Sequence, residues 1–560
     1  MAKTKQTPIV EELTLDYQLA ELPSSQHRAG LAGLVLMVRW LERQPSFRDK
    51  SKATCRFTRL DEQGATLLIN LPGLEALFDE VYAASREEQE RPQPFKNKNK
   101  EIIPPLREEE RQETDPKTGK TKTKKVYIYP AVVPKGAFIA DYDQSANGDK
   151  GHWVKLWRDM LWNILRGVPA TRKPFEERAY GAYTEDAAKV WKELNQSAEY
   201  TVDLPSTYFL GAQASNAENV PFKDRAQFQF LLHFWLYTAQ IYVPAVVNNE
   251  GSRDFVGYAL AIPDVAKLKT FCDELPEVLR NRGVELSGYR PRDCIVDLAI
   301  EGALDTMHRL RDRIAIRAGE QATGDLVLGV DVIHTEKQGN NIRLLGMSRI
   351  DPNFQMIDEY ARLRKALWNP LFRRQRLLNL VKNQLWYTGF DALLCSIPYE
   401  QSIGNDYFRH DVRESFKHEV ETMDEETATP IPENEDLTSD EPTESITSKK
   451  SNYEVLIYRL VRAYISKKLE SKYQLKWSSV KDDPKKKGEY EEKKEKIAKA
   501  AFLDVRSRTE KMDFINYFAA TLCSVPQYLK PEDFVSLTRA LYDETDKVRT
   551  LTLLALSANS

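Results

Sequence analysis

Leu22-Pro23-Ser24-Ser25-Gln26-His27-Arg28-Ala29-Gly30-Leu31-Ala32-Gly33-Leu34 is the stretch on which the reading of this chain turns, because a polar cap, small residues and an apolar run meet in it. Pro23 followed by Ser24 or Ser25 reads as a helix start, with a side-chain oxygen for the free N–H groups of the first turn. Leu31, Leu34, Val35, Val38 and Leu41 or Trp40 then keep helical spacing. Ala29, Gly30, Ala32 and Gly33 leave room for a neighbouring backbone to come close. The pattern predicts a helix from about His27 to Arg43, buried in a core.

Around that helix the first 85 residues read as strand, helix, strand, helix. Thr14 to Leu19 precedes it, Thr54 to Phe57 and Thr66 to Asn70 follow, and Leu71-Pro72-Gly73 opens a second helix to Tyr82. The whole chain has 560 residues, 41% hydrophobic and 29% charged, enough for two or three domains with a sizeable core. Five dispersed cysteines, Cys55, Cys272, Cys294, Cys395 and Cys523, fit a reducing cytoplasm and argue against a disulfide framework or a structural zinc site. No apolar signal core follows the first residues and no run is long enough to cross a bilayer, so a cytoplasmic protein is expected.

The net charge of -3 hides segregation along the chain. Residues 86–125 are rich in Lys, Arg, Glu, Asn and Pro, and are expected to form a mobile basic insertion unless a polyanion orders them. Within it, Lys96, Asn97, Lys98, Lys100, Lys120, Lys122 and Lys124 are candidate nucleic-acid contacts. Gly119-Lys120-Thr121 resembles the end of a phosphate loop, but Thr114 stands where that motif needs Gly, which excludes a nucleoside triphosphatase.

Val126 to Val133 and Ala137 to Ala140 read as two strands about Pro134-Lys135-Gly136. Trp153, Leu156, Trp157, Met160, Leu161 and Leu165 make a helical apolar face, so Trp153, Trp157 and Trp162 read as core rather than as base-stacking platforms. Ile241 to Val247 and Phe255 to Ile262 predict a hairpin with a polar loop. A second hairpin is predicted for Leu326 to His334 and Ile342 to Ile350, and Pro291 to Ala318 as a helix. The loops carry Asn248, Asn249 and Arg253, and Gln338, Asn340 and Asn341. Such side chains suit base edges, and Asn with Gly also simply makes good turns.

Met356 to Tyr387 predicts a helix pair broken at Asn369-Pro370. Between 360 and 382 lie Arg362, Arg364, Lys365, Arg373, Arg374, Arg376 and Lys382 with no acid, which reads as a phosphate-tracking surface. Residues 419–444 hold eleven acids and no Lys or Arg, so 419–450 is expected to be an acidic disordered linker. Beyond it, residues 445–512 carry nineteen bases against ten acids, and the apolar spacing predicts a basic helical bundle over 451–560. The expected fold is an α+β N-terminal domain with β-hairpins, residues 1–418, followed by a C-terminal all-α helical bundle.

Catalysis finds little support. His410-Asp411, with Glu414 and His418 on the same helical face, has the dipeptide of metal-dependent HD phosphohydrolases, but that fold needs an upstream His and a downstream Asp in a helical domain. A metal-dependent nucleic-acid hydrolase is therefore the alternative, and a non-catalytic binding protein without cofactor or metal is the main reading.

The motif Ser24-Ser25-Gln26-His27-Arg28-Ala29-Gly30-Leu31-Ala32-Gly33-Leu34 resembles the N-terminal signature of the large subunit of type I-B CRISPR Cascade, in particular its myxan-type branch. The similarity continues through Tyr242-Val243-Pro244-Ala245-Val246-Val247 and Phe255-Val256-Gly257-Tyr258-Ala259-Leu260-Ala261-Ile262-Pro263, over about the first two thirds of the chain. The resemblance implies recognition of a protospacer-adjacent motif in double-stranded target DNA, help in unwinding it, and stabilisation of the R-loop. Guide RNA pairing would read the rest of the target. Implied partners are guide RNA, target DNA, the Cascade backbone, foot and small subunits, and a helicase-nuclease or a transposition adaptor protein, with no membrane. The bundle would be the part resembling the small subunit.

Overall fold

The computed structural model describes residues 11–49, 52–96, 101–114, 121–146, 150–164, 169–182, 184–203, 223–248, 250–318, 326–339, 341–428, 453–480, 483–525 and 531–560. Its two compact units are Met1–Ala245 with Phe255–Phe354, and Val246–Asp254 with Gln355–Ser560.

In the first unit, strand β1 (Leu13–Gln18) leads into helix α1 (Ser25–Leu41). Of the two candidate caps, Ser24 is the one in extended backbone outside the helix, and its hydroxyl accepts from the His27 N–H. A short α2 (Pro45–Arg48), strands β2 (Cys55–Leu60) and β3 (Gly64–Ile69), and α3 (Leu71–Val81) follow. The three strands pair antiparallel in the order β1-β3-β2, with Leu13 and Cys55 both opposite Ile69. The Asn70 side chain caps α3 by accepting from the Gly73 N–H, with Pro72 in the first turn as the sequence predicted.

Where a mobile insertion was expected over 86–125, the described residues carry strands. Strands β4 (Ala84–Arg91), β5 (Arg107–Thr114) and β6 (Thr121–Pro134) form an antiparallel sheet in the order β4-β6-β5. Apolar anchoring comes from β6, where Ile128 and Tyr129 are buried and the Tyr129 hydroxyl joins Phe95 N to Ile103 O, each at 2.9 Å. The polar strands are matched by charge: Arg107 of β5 reaches over β6 to hold Glu88 of β4 through two bonds of 2.6 Å, and both terminal nitrogens of Arg111 hold Glu90. The segment's own acids in β4 and β5 thus pair with its arginines and with Lys125.

After β6 the chain does not form the second strand expected at Ala137 to Ala140. Gly136 turns it at φ +86, and α4 (Phe138–Tyr142) begins instead. Helices α5 (His152–Ile164), α6 (Pro169–Ala179) and α7 (Asp186–Leu194) follow. Trp153 and Trp157 are buried, with their indole N–H groups bonded to Gly283 O and Leu236 O, while Trp162 is half-buried against Phe175. Short strands β7 (Thr201–Asp203) and β8 (Lys223–Arg225) pair antiparallel, and α8 (Ala226–Leu231) leads to the main sheet.

That sheet contains β9 (Gln240–Val247), β10 (Arg253–Phe255) and β11 (Tyr258–Val265). Helix α9 (Leu268–Arg280) and strands β12 (Leu286–Ser287), β13 (Arg290–Pro291) and β14 (Ile295–Val296) intervene before α10 (Glu301–Ala318). The helix predicted from Pro291 therefore starts ten residues later, because Ile295 and Val296 are spent on a parallel pairing with β9. Strands β15 (Val327–Gln338) and β16 (Asn341–Ile350) complete the order β10-β9-β11-β15-β16.

Helix α1 is fixed by close approach. A methyl added to Gly30 would lie 2.4 Å from the Leu231 carbonyl oxygen, and one on Gly33 would lie 2.3 Å from that of Phe234. Further along, Thr238 Oγ1 donates to Ala29 O. At its start the His27 ring bonds Ser24 Oγ and Asp224 Oδ2, both at 2.7 Å, and Arg28 is clasped by the buried Asp264.

The second unit is helical. It contains α11 (Phe354–Ala366, which begins on the last residue of the first unit), α12 (Pro370–Val381), α13 (Phe390–Ser396), α14 (Asp406–Ala428), α15 (Tyr453–Tyr473), α16 (Trp477–Val480), α17 (Pro484–Ser507), α18 (Lys511–Tyr517), α19 (Pro531–Asp543) and α20 (Thr545–Ala558). Helix α20 is buried nearly all round and is packed by α13, α14, α15, α17, α18 and α19. Its hydroxyls pay no burial penalty, since Thr550, Thr552 and Ser557 each donate to the carbonyl four residues back. Arg549 crosses to Asp391 of α13 at 2.7 Å, so helices from before and after the acidic stretch share one core. Within that stretch α14 runs on to Ala428, and the remainder of the expected linker lies outside the described residues.

The architecture is thus mixed α+β with several hairpin sheets, followed by a helix-dominated region, as the sequence implied. Among the described residues no helix is long and apolar enough to cross a membrane.

Two outcomes follow from the first unit's packing. Gly33→Ala should lower stability by about 1–3 kcal/mol, because backbone rather than a flexible side chain blocks the new methyl. A urea midpoint equal to wild type would show that the backbone at 231–234 yields freely. His233 sits among Phe78, Phe230 and Phe234, and burial pushes its pKa down to about 4 from 6.5. Because the folded value is the lower, its contribution is complete above about pH 6.5 and is lost as pH falls toward 4. The acid limb of stability against pH should be shallower in His233→Phe than in wild type.

Candidate nucleic-acid interface

The loop between β9 and β10 is organised by Asn248. Its Oδ1 accepts from the N–H groups of Glu250 and Ser252, both at 3.0 Å, and its Nδ2 donates to Ser252 Oγ at 2.6 Å and Asp254 Oδ2 at 3.3 Å. This side chain closes the turn, the use that Asn most often has in such a place. Arg253 stands exposed on β10, and Asn249 lies outside the described residues.

The second loop is much tighter than the seven residues expected. Pairing continues through Thr335 with Leu344 and Lys337 with Ile342, up to Gln338 opposite Asn341, with Gly339 at φ +62 in the turn. Gln338 is exposed at the end of β15 and Asn341 begins β16, while Asn340 lies outside the described residues. The two tips fall in different units.

In the insertion, Lys96 is exposed and its backbone bridges Ile102. Lys122 and Lys124 lie on β6 opposite Glu113 and Arg111, and Asn97, Lys98, Lys100 and Lys120 lie outside the described residues.

The basic helices contain an internal division of labour. Glu359, just ahead of the acid-free window, accepts from Arg362 Nε at 2.7 Å and from Arg376 Nη2 at 3.0 Å. The Arg376 side chain is only 7% exposed and its guanidinium lies 5.6 Å from the Trp386 ring centre. Arg376 thus joins α12 to α11, while Arg362 pairs with the same carboxylate within α11. Arg364, Arg373 and Arg374 are half-buried, and Lys365 and Lys382 are exposed.

His410 and Asp411 are built differently from a metal site. Asp411 is fully buried and accepts from the N–H groups of Trp368, at 3.0 Å, and Asn369, at 2.7 Å. Burial pushes its carboxyl pKa up, against those amide bonds and the His410 bond, which lower it. His410 Nδ1 meets the same carboxylate at 3.1 Å, and its ring stacks on Trp368 with centroids 4.0 Å apart and planes 6° from parallel. His418 faces Glu359 at 4.0 Å. No group of three or more His, Cys, Asp or Glu side chains placed to hold a metal occurs among the described residues.

Two aromatic surfaces escaped the sequence reading. One is Trp368 with Tyr407, which are 55% and 59% exposed; a Trp in the bend between two basic helices was the available signal. The other is Tyr289, exposed on the β12–β13 hairpin, with the Arg290 guanidinium 4.6 Å from its ring centre and 4.5 Å from that of Phe255.

The Glu359 arrangement predicts opposite consequences for neighbouring bases. Arg376→Ala should cost about 2–3 kcal/mol in folding stability, since it breaks a largely buried ionic hydrogen bond. Arg374→Ala should leave the melting temperature within about a degree or two. Equal melting shifts for the two variants would refute the division.

No curated protein matches the chain. A model for the type I-B CRISPR Cas8b N-terminal domain matches residues 54–320, and one for the type I-B CRISPR Cas8b C-terminal domain matches residues 327–559. These two matches, in chain order, take in most of the α+β region and nearly all of the helical region. The chain belongs to the Cas8b family, the large subunits of type I-B CRISPR Cascade.

Proposed function

We propose that this chain recognises the protospacer-adjacent motif in double-stranded target DNA, helps open the duplex, and holds the R-loop while guide RNA pairs with the target strand. The observation that carries the reading is the pair of family matches spanning both halves of the chain. Large-subunit membership brings backbone, foot and small subunits as partners. The opened target would be handed to a helicase-nuclease or a transposition adaptor.

The exposed hairpin ends, with Arg253 on one and Gln338 on the other, are of the chemistry that reads base edges. Arg364, Arg373 and Arg374, with the lysines of the β4–β6 segment, would contact phosphates. Residues 451–560 would act as a small-subunit-like module on the displaced strand. In this reading the chain binds and positions nucleic acid, and cutting is left to the recruited partner. The environment of His410 and Asp411, stacked against an indole and bonded to backbone amides, supports that assignment over hydrolysis.

Binding of the assembled complex to target DNA tests the proposal. Gln338→Ala and Arg253→Ala should each cost about 1–3 kcal/mol on the correct motif and much less on a mutated one. Asn248→Ala should weaken both alike, because it loosens the loop rather than a base contact. Losses of equal size on correct and mutated motifs for all three variants would remove motif reading from these tips.

A further inference from the structure

Trp368 occupies the bend between α11 and α12, with more than half of its surface in solvent and one ring face laid on His410. Tyr407, one turn before His410 on α14, meets the indole edge-to-face at 6.1 Å. Isolated exposed aromatics are ordinary on protein surfaces. The indole's backbone and the imidazole, however, are tied to one hydrogen-bonded network.

Asp411 sets both components of the stack. Its carboxylate takes the N–H groups of Trp368 and Asn369 and also pairs with the His410 ring, so the indole's backbone and the imidazole beneath it share one buried anchor. Asn369 in turn caps α12 through Leu371 N and Phe372 N, both at 3.0 Å, and its Nδ2 donates to Asn405 Oδ1 at 3.3 Å. Asn405 Oδ1 also accepts from Phe408 N at 3.0 Å, at the start of the helix that carries Tyr407 and His410. Both helix starts and the His410 ring are therefore fixed by hydrogen bonds, and the indole rests stacked on that ring. A flat ligand arriving on such a surface immobilises few protein rotamers.

The charges around the stack favour a polyanion that carries flat groups. Lys365 and Arg413, each one turn from a ring of the stack, are exposed cations. Asp406, the nearby exposed acid, is paired with Arg409. Trp, Tyr and Arg also anchor protein interfaces, but Lys is depleted there, so Lys365 beside the rings favours the polyanion. Stacking on a fixed aromatic with cations on either side is how a single-stranded nucleic acid is held without regard to sequence.

We propose that Trp368, Tyr407 and His410 form a stacking site for one unpaired nucleobase of a single-stranded nucleic acid, with Lys365 and Arg413 against the adjoining phosphates. The site rests on the nucleic-acid-binding reading above, and it adds a contact made to a base rather than to the backbone. Either DNA or RNA offers that chemistry.

The test uses the full chain with a 20-nucleotide single strand, as DNA and as RNA, each with intact bases or with abasic positions throughout. Trp368→Ala and Tyr407→Ala should each weaken binding to an intact strand, by about tenfold for Trp368→Ala, without changing the dependence on salt. Trp368→Phe should restore most of the loss. Wild type should bind the abasic strand about as weakly as Trp368→Ala binds the intact one, and the strand type showing this difference identifies the ligand. Undiminished binding by both alanine variants, with wild type binding normally, would overturn the stacking site alone. If Trp368→Ala instead loses a protein subunit from the assembled complex while strand affinity holds, the surface is a protein contact and the proposal fails. Absence of strand binding by wild type would overturn it together with the broader reading.

Discussion

The first unit depends on how closely α1 lies on the chain at 231–234. Carbonyl oxygens of Leu231 and Phe234 occupy the space where side chains on residues 30 and 33 would begin, so two glycines are the condition for the helix to reach its place. Once there, the helix brings Arg28 to the buried Asp264 of β11, which also holds Arg349 of β16 at 2.8 Å. One carboxylate thereby ties the opening helix to strands more than two hundred residues away. The position of β11 and β15, and with it the hairpin that ends at Gln338, follows from this packing.

The helical unit solves a different problem, that of a central helix bearing hydroxyls and an arginine. Helix α20 satisfies Thr550, Thr552 and Ser557 within its own backbone and gives Arg549 to Asp391, so its neighbours can pack apolar residues against it. Glu359 does the equivalent for α11 and α12. The buried Arg376 guanidinium without that carboxylate would be costly, which is why one of the bases that look like a phosphate surface is structural, and Arg362 is drawn to the same acid.

Buried carboxylates recur as the joints of the molecule. Asp143 accepts from the first amides of α5, at 2.9 and 3.0 Å, and Asp411 does the same for the bend before α12. Each offsets its own desolvation with backbone N–H groups that would otherwise lack partners. Around Asp411 the same economy leaves an indole fixed at the surface, so a structural device also presents a binding platform.

By itself the sequence determined the fold class, the opening helix with its serine cap and close-packed small face, the tryptophan core of α5, and the break at Asn369-Pro370. These are local: helical period, cap chemistry and small-residue spacing act within a few turns, and they were legible without a partner in view. The family resemblance was read from the opening motif and from the stretches at 242–247 and 255–263, of which the latter two lie within the matched residues. Only tertiary structure decided which of Ser24 and Ser25 caps, and that the polar stretch at 86–125 pairs into strands through charges nearly twenty residues apart. It also decided that Asn248 spends its side chain on its own loop. The bases of α11 and α12 show the reason most plainly. Their shared acid stands one residue before the window that looked uniformly positive, and only folding brings Arg376 back to it.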